Sequence, residues 1–477
     1  MSIVKLISKN IASLATIEVV NQICLVILAL LIPLYLGDVG FGQYSLVVSF
    51  TTLFMFLLDP GLRSLTIREV SREKVKKNIY LNNLTTIKLI LSSFTILFMI
   101  ILVNVMQYPQ LVKTAMYIML SAWILNSFSD VFRSIFYAFQ KMEYGTLTLT
   151  AAKIVTTLLA SIFLFFGYGL VEVVLAFFIG NFLALLINFL IYTKKFQVPK
   201  FKIDLEFSKK ILVMSFPFGL AIAFNNVFFN FDIVVIDHIM GDAAAGWYSI
   251  PKFIIMILIT FFFTVPYALF PTFSKFYKDS MEKLNYSYEK IFKFLLILTL
   301  PTSTILFMLA SDIILFLFQY SFTNSIFIFQ ALIWLVIPIS LARFLEIVLA
   351  SINKQKLVTY NIGIFALSNI ILDILLIPYF GINGAIIATT LSQIAIFIFD
   401  LFFVSKYLCK ISVYRLVLKP AISCMFIGIL IYFLINFVNF IILGCISIVF
   451  YIFILAVLGG FDKEDINMIK KIITRSD

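Results

Sequence analysis

The stretch LGDVGFGQYSL, from Leu36 to Leu46, recurs later in the chain as MGDAAAGWYSI, from Met240 to Ile250. A Gly-Asp pair, a second glycine and a Tyr-Ser pair match at one constant offset. Each copy lies between two long apolar segments, and the second copy comes six segments after the first. An even spacing gives both halves the same orientation in a bilayer, as in transporters built from parallel repeats. The sequence therefore predicts two pseudo-symmetric lobes; chance recurrence of a short Gly-Asp turn is the alternative.

The composition around these turns is that of a membrane protein. Hydrophobic residues make up 62% of the 477 residues, and the mean hydropathy is +1.09, which excludes a water-soluble globule. About fourteen segments have the length of roughly 20 residues that a bilayer core requires. These predicted spans are 13–36, 41–62, 83–106, 114–140, 145–167, 170–193, 211–239, 247–272, 291–312, 325–352, 357–379, 383–405, 419–438 and 440–458.

The basic residues predict the orientation of these spans. Most of the 36 Lys and Arg residues lie in the two tails and in every second gap between spans. Because positive loops stay in the cytoplasm, both termini are predicted to be cytoplasmic. The net charge of +12 then faces anionic membrane lipids, and no nucleic-acid partner is expected, because the basic residues form no stripe on a soluble domain. The first span has full length and no cleavage site, so we expect it to remain as a helix.

The predicted fold class is an all-α polytopic membrane protein with two six-helix lobes around a central cavity. The first lobe is predicted over residues 1–193, a cytoplasmic linker over 194–210 and the second lobe over 211–405. Residues 406–477 would add two helices and a cytoplasmic tail. Residues 274–290 mix apolar and basic positions, which predicts an interfacial helix between the lobes.

Charged residues inside the spans mark the predicted cavity. A charge facing lipid at mid-helix costs about 2.5–3.5 kcal/mol, so such side chains normally face protein or water. The basic candidates for an anionic substrate are Arg133, Lys153, Lys252 and Arg343, with Lys88 just inside its span. For Lys88 and Lys252, extension of the side chain to the headgroups is the favoured alternative.

Two of these cations have an acid three residues away. Asp130 and Arg133 share one helical face, and so do Arg343 and Glu346, with the order of charges exchanged between the predicted lobes. If the two helices face each other, each acid would pair with the base of the other lobe and close a gate. The alternative is that each pair is an ordinary bridge within one helix.

The seventh predicted span carries a polar face. Asn226, Asn230 and Asp237 fall at helical spacing, with Asp232 beside them. A carboxylate in a membrane cavity can carry a proton at neutral pH, so Asp232 and Asp237 are candidates for ion coupling. His238 could act in the same way, although a plain interfacial histidine is the favoured interpretation.

Several functional classes find no support. The four cysteines have no CxxC spacing and there is a single histidine, so neither a disulfide framework nor a metal site is predicted. No phosphate-binding loop of a primary pump occurs. A membrane glycan polymerase would need a large hydrophilic loop with catalytic acids, and no predicted outer loop has that size. No catalytic residue and no cofactor are therefore predicted.

Several runs of the chain resemble the polysaccharide-export branch of the MOP superfamily, the Wzx-like flippases, which are similar in fold to MATE exporters and lipid II flippases. The Gly-Asp turn given above carries part of the resemblance. The other runs are LLDPGLRSLTIREVSRE from Leu57, FRSIFYAFQKMEYG from Phe132, SFPFGLAIAFNNVFFNFDIVVIDHIMG from Ser215, and GWYSIPK from Gly246.

The resemblance implies a function without chemistry. A monomer in the cytoplasmic membrane of a bacterium would flip undecaprenyl-diphosphate-linked oligosaccharide repeat units, such as those of O-antigen, to the outer leaflet by alternating access. Arg133, Arg343, Lys153 and Lys252 would hold the diphosphate or acidic sugars. A proton or sodium ion would couple through Asp232 or Asp237, with Glu18 next. Other membrane proteins of polysaccharide assembly are implied partners. A MATE-type drug antiporter is the main alternative, although cationic drugs would favour an anionic cavity.

Overall fold

The computed structural model describes residues 3–196 and 204–461, with side chains described from Val20 onward. These residues form α-helices joined by short turns and single 3-10 turns. The helices are α1 (Ile3–Leu53), α2 (Met55–Leu58), α3 (Leu62–Arg72), α4 (Lys77–Val105), α5 (Gln110–Ala138), α6 (Met142–Phe165), α7 (Leu170–Lys195), α8 (Leu205–Met240), α9 (Asp242–Asp279), α10 (Met281–Met308), α11 (Ala310–Phe318), α12 (Ser325–Leu332), α13 (Val336–Ser351), α14 (Gln355–Phe380), α15 (Ile382–Tyr407), α16 (Val413–Leu434) and α17 (Phe440–Val457).

Thirteen helical stretches of the described chain are long and apolar enough to cross a bilayer. The sequence predicts about fourteen spans, and the difference lies in α1. This helix has 51 residues and is interrupted at Gly37, where two helices meet. A single crossing needs only about 20 residues, so the two arms of α1 correspond to the first two predicted spans. The all-helical polytopic fold is confirmed.

The two Gly-Asp turns share one backbone conformation. Gly37 has φ 68° and ψ −172°, and Gly241, which follows the last residue of α8, has φ 87° and ψ 173°. This region of φ and ψ is essentially restricted to glycine. The repeat seen in the sequence is therefore a repeat of local structure, in which glycine permits the chain to leave one helix and begin the next.

The chain packs into two compact units. The first contains Met1–Ser249 and Ile370–Gly381, and the second contains Ile250–Asn369 and Ile382–Asp477. Helix α8, which was predicted to open the second lobe, packs in the first unit against α1 and α3. The compact units thus divide the chain differently from the predicted lobes, and the lobes remain a prediction.

Helix α5 runs through both apolar cores of the first unit. Its first half contributes Val112 and Met116 to one buried cluster, and its last turns contribute Ile135 and Phe136 to another. The residues between these clusters include Asn126, Ser127 and Asp130, which are polar. Packing at both ends therefore fixes a polar middle section of α5 inside the protein. In the second unit, the core lies between α10, α16 and α17.

One sequence prediction about helix boundaries is wrong. Residues 274–290 do not form a separate interfacial helix, because α9 continues to Asp279 and α10 begins at Met281. Ser280 ends one helix and caps the next, since its side chain accepts a hydrogen bond from the backbone N–H of Lys283. Much of the predicted linker, residues 197–203, lies outside the described part of the chain.

Candidate functional site

Arg133 is the most deeply buried arginine of the predicted site, with 1% of its surface exposed. Its guanidinium contacts two residues of the same helix, α5. Nε donates to Asp130 Oδ1 at 3.1 Å, and Nη2 donates to Asn126 Oδ1 at 2.6 Å. The remaining nitrogen, Nη1, is buried without a hydrogen-bond partner among the described residues. The site therefore contains a charged donor that no described residue uses.

A second buried cation lies on the neighbouring helix. Lys88 of α4 is 1% exposed, and its ammonium is 3.0 Å from Asp59 Oδ2. It also donates to Ser127 Oγ at 2.6 Å, next in sequence to the asparagine that binds Arg133. The interpretation of Lys88 as a side chain reaching the headgroups is wrong, because its ammonium is enclosed by α5 and the end of α2.

Together these residues form a cluster with excess positive charge, which we call the α5 cluster: Asp59, Arg63, Lys88, Asn126, Ser127, Asp130 and Arg133. Arg63, at the start of α3, brings its Nη1 to 3.5 Å from Asp130 Oδ1, and its side chain is 41% exposed. Three cations thus surround two carboxylates. Buried charges are tolerated when they are paired and hydrogen-bonded. The α5 cluster has one more cation than it has carboxylates.

The two predicted acid–base pairs are made within single helices. Arg133 Nη2 lies 3.0 Å from Asp130 Oδ1, and Arg343 Nη1 lies 3.2 Å from Glu346 Oε2 on α13. Both are the i,i+3 bridges of the local alternative. A gate made by exchanged pairs remains a prediction that no observation supports.

The second unit has its own charged cluster around Arg343. Asp400 of α15 is completely buried and accepts a hydrogen bond from Asn361 Nδ2 at 2.8 Å. The charges of Glu346 and Arg343 both act on this carboxyl group. Two acids therefore accompany one cation here, and the balance of charge is opposite to that of the α5 cluster.

The remaining predicted cations are less enclosed. Lys153 on α6 is exposed, and Lys252 on α9 is half-buried. Neither belongs to the α5 cluster, and their roles stay predictions. Glu18 lies on α1 before the first residue whose side chain is described.

The polar residues of α8 bind to their surroundings within the first unit. Asn226 Nδ2 donates to the carbonyl oxygen of Thr52 at 3.1 Å, in the last turn of α1, where carbonyls lack intrahelical partners. Asn230 Nδ2 donates to the carbonyl of Asn226 at 2.8 Å. Both amides thus support the helices themselves, and their predicted part in ion coupling stays a prediction.

The two acids of α8 are both buried. Asp232 is 1% exposed and accepts a hydrogen bond from the Tyr248 hydroxyl at 2.8 Å. Asp237 is also buried, close to the end of the helix. His238 beside it is exposed, as expected for an interfacial residue.

The two Gly-Asp turns contact each other reciprocally. Trp247 Nε1 donates to Asp38 Oδ2 at 3.0 Å, and Gln43 Nε2 donates to Asp242 Oδ2 at 2.7 Å. The second glycine of each turn lies against the backbone of the other, so a Cβ on Gly42 would overlap the carbonyl oxygen of Asp242. A Cβ on Gly246 would overlap the carbonyl oxygen of Asp38 in the same way. The matched glycines are therefore needed for close approach.

A second close approach joins α8 to the chain after α2. Gly61, with φ 84°, lies so close to α8 that a Cβ would come within 2.5 Å of the Ser215 carbonyl oxygen. On α8, a Cβ on Gly219 would come within 2.6 Å of the Pro60 carbonyl carbon. The segment of α8 around Ser215 and Gly219 and the turn after the end of α8 are thus both held tightly against the first 61 residues.

The sequence and the fold of this chain can be compared with those of known proteins. The chain is 26% identical over 304 residues to the uncharacterized membrane protein MJ1068 of Methanocaldococcus jannaschii. The aligned region covers 60% of this chain and 58% of that protein, which is less than two thirds of the length of MJ1068. The fold of the present chain is similar to a structure described as lipid II flippase MurJ in an inward closed conformation. The TM-score is 0.76, the sequence identity is 18%, and the match covers 94% of this chain and 98% of that one.

A second solved structure shares the fold. It is an inward-facing multidrug resistance MATE family transporter of the MOP superfamily, with a TM-score of 0.63, 16% identity, and coverage of 81% of this chain and 98% of that one. A family model described as polysaccharide biosynthesis protein matches residues 7–277. Because that match takes in more than half of the chain, including the α5 cluster and both Gly-Asp turns, the protein belongs to the polysaccharide biosynthesis protein family.

Proposed function

We propose that this protein is a flippase that moves an undecaprenyl-diphosphate-linked oligosaccharide from the inner to the outer leaflet of the cytoplasmic membrane. The observation that carries the proposal is the α5 cluster, in which three cations surround two carboxylates. Lys88, Asp130 and Arg133 of this cluster lie in helices that are long and apolar enough to cross a bilayer. A net positive site of this kind favours an anionic substrate. Membership of a polysaccharide biosynthesis family supports a glycan as the group attached to that anion.

The cluster offers two donors to a diphosphate. Arg133 has its buried Nη1 without a partner among the described residues, and the side chain of Arg63 is partly exposed beside Asp130. Guanidinium groups bind phosphate oxygens by two parallel hydrogen bonds. A diphosphate that reached Arg63 would compete with Asp130 for the Arg63 guanidinium. Binding would therefore replace the ion pair of Arg63 with Asp130 by an ion pair of Arg63 with the substrate.

The two close approaches along α8 support a moving transporter. In this structure Gly61 holds α8 at Ser215 and Gly219, and the Gly-Asp turn contact holds the end of α8. Alternating access would require these two contacts to open in turn. We propose that a proton or sodium ion drives the opening of these contacts through Asp232 or Asp237. Both are buried carboxylates; Asp232 lies between the two contacts along α8, and Asp237 lies next to the Gly-Asp turn.

A drug exporter is the second candidate, and the second unit provides the observation that favours it. Glu346 and Asp400 outnumber Arg343 in that cluster, and an acidic site suits cationic drugs. We prefer the flippase because the buried cations of the α5 cluster lie within the segment matched by the family model.

Replacement of Arg133 and Arg343 by alanine tests the proposal. Each charged hydrogen bond to the substrate contributes about 1.5–3 kcal/mol, so we expect glycan export to fall about 10-fold to 100-fold for each arginine that binds the substrate. Surface polysaccharide and accumulated lipid-linked precursor are measured in cells that depend on this gene for export. Arg72→Ala serves as the matched control, because that side chain is 69% exposed and pairs with Glu69.

The amount of each variant in the membrane is measured by immunoblot, and Arg133→Lys separates charge from folding. Lysine retains the charge that pairs with Asp130, so this variant should insert normally and retain part of the export. Unchanged export in the double alanine variant would contradict the assignment of the arginines.

A further inference from the structure

A cavity of about 380 Å³ lies in the second unit and shares no lining residue with the α5 cluster. It is formed where three helices come together at one end: the first half of α10, the first turns of α16, and the residues that follow α17. Gly459 and Gly460 close it on the α17 side. Lys419 holds this corner together, because its Nζ donates to the carbonyl oxygen of Gly459 at 2.7 Å.

The lining of this cavity is strongly cationic. Lys290 and Lys293 of α10 face it together with Arg415 and Lys419 of α16, whereas Glu289 is the one acid among the described lining residues. Lys290 also lies 5.6 Å from the centroid of the Tyr286 ring, which lines the same cavity. The arrangement leaves an excess of three positive charges around a space large enough for a phosphate ester. Such convergence from separate helices is unlike a row of solvated surface lysines.

The cavity lies where two candidate membrane-spanning helices end. Helix α16 begins at Val413 and α17 ends at Val457, and both are apolar enough to span a bilayer. The cavity lies at these two ends, where the polar layer of the membrane begins. Tyr414, Leu418 and Phe294 are exposed on the same helices nearby, so acyl chains would have an apolar surface next to the charged pocket.

We propose that this basic pocket binds the phosphate of an anionic phospholipid, with the acyl chains lying along α10 and α16. The lipid would bridge α10 and the two final helices by charge-assisted hydrogen bonds. This inference does not depend on the transport reaction proposed above, because none of the lining residues belongs to the α5 cluster.

Lipid binding by the purified full-length protein tests the proposal. Native mass spectrometry is used to titrate the protein with phosphatidylglycerol or, as the neutral comparison, phosphatidylcholine. We expect phosphatidylglycerol to bind at one preferred site, and the variant K290Q/K293Q/R415Q to weaken that site about 100-fold, since each basic residue near anionic lipid contributes about a factor of five. Lys419 is retained because it supports the end of α17.

The variant K275Q/K278Q/K283Q is the matched control, because it removes the same charge from residues that do not line the pocket. It should keep the preferred site, as should K290R/K293R, in which the charge is retained. Equal loss of binding in the pocket variant and the control would overturn the proposal. So would an unchanged lipid count in the pocket variant.

Competition with glycerol phosphate distinguishes the lipid from a soluble anion. A soluble phosphate lacks acyl chains, so we expect an equal concentration to leave bound phosphatidylglycerol in place. Complete displacement would assign the pocket to a water-soluble phosphate and would overturn the assignment to a lipid.

Discussion

Replacing Gly42 by alanine is expected to destabilise the protein by about 1–3 kcal/mol or more, the usual cost of inserting a methyl group where no space exists. The new Cβ would overlap the carbonyl oxygen of Asp242, and a backbone atom cannot move aside as a flexible side chain can. The turns would separate, and the hydrogen bonds from Gln43 and Trp247 would be lost with them. The measurement is the apparent free energy of unfolding in mixed micelles.

Gly428→Ala is the control for this change. Gly428 lies within α16, and a Cβ there would meet nothing within 4 Å, so alanine should leave stability unchanged or raise it by up to about 1 kcal/mol. The equivalent change Gly246→Ala should cost as much as Gly42→Ala, and the double variant less than the sum, because the first substitution already opens the contact. Equal stability of the Gly42 and Gly428 variants would show that the contact between the two Gly-Asp turns does not hold the end of α8 and the start of α9 against α1.

Replacing Asp59 by asparagine is expected to cost about 3–5 kcal/mol, because it leaves the buried ammonium of Lys88 without its counter-charge. The Lys88 side chain is 2% exposed and that of Asp59 is 19% exposed. Lys88→Met should cost less, since the carboxylate left behind can reach solvent more easily. The double variant should recover a large part of the loss, and this recovery is measured as the coupling energy of the cycle.

The exposed pair Lys76–Glu73 provides the control cycle, with side chains 43% and 60% exposed at 2.9 Å. Its coupling energy should be about 0–1 kcal/mol, as for other surface ion pairs. If the Asp59 and Lys88 changes were additive, the ion pair would not be what makes a buried lysine tolerable in this protein.

Local features of the structure could be predicted from the sequence. The spans follow from runs of apolar residues, and the equivalence of Gly37 and Gly241 follows from matched letters at matched places, because residues other than glycine rarely adopt their conformation. The i,i+3 pairs of Arg133 and Arg343 follow from helical spacing alone. Each of these needs only neighbours in the chain.

Contacts between distant segments could not be predicted in this way. The sequence favours an extension of Lys88 to the headgroups because its acid, Asp59, lies 29 residues away, after the end of α2. A single sequence does not show which segments are neighbours. The sequence places Asn226 on a polar face with the candidates for ion coupling, whereas its amide donates to the Thr52 carbonyl. The contact of Gln43 with Asp242 lies within the motif that carries the repeat, but the spacing of the motif does not reveal that the two copies touch.

The most direct test of the proposed function is leaflet exchange in vesicles. The purified protein is placed in liposomes that carry an undecaprenyl-diphosphate-linked oligosaccharide, and the fraction accessible to an external glycosidase is followed over time under proton, sodium and zero gradients. We expect the protein to make the inner-leaflet oligosaccharide accessible, and Arg133→Ala to slow this process without changing protein incorporation. Equal accessibility with and without the protein under every gradient, in vesicles where it is folded, would contradict the flippase account.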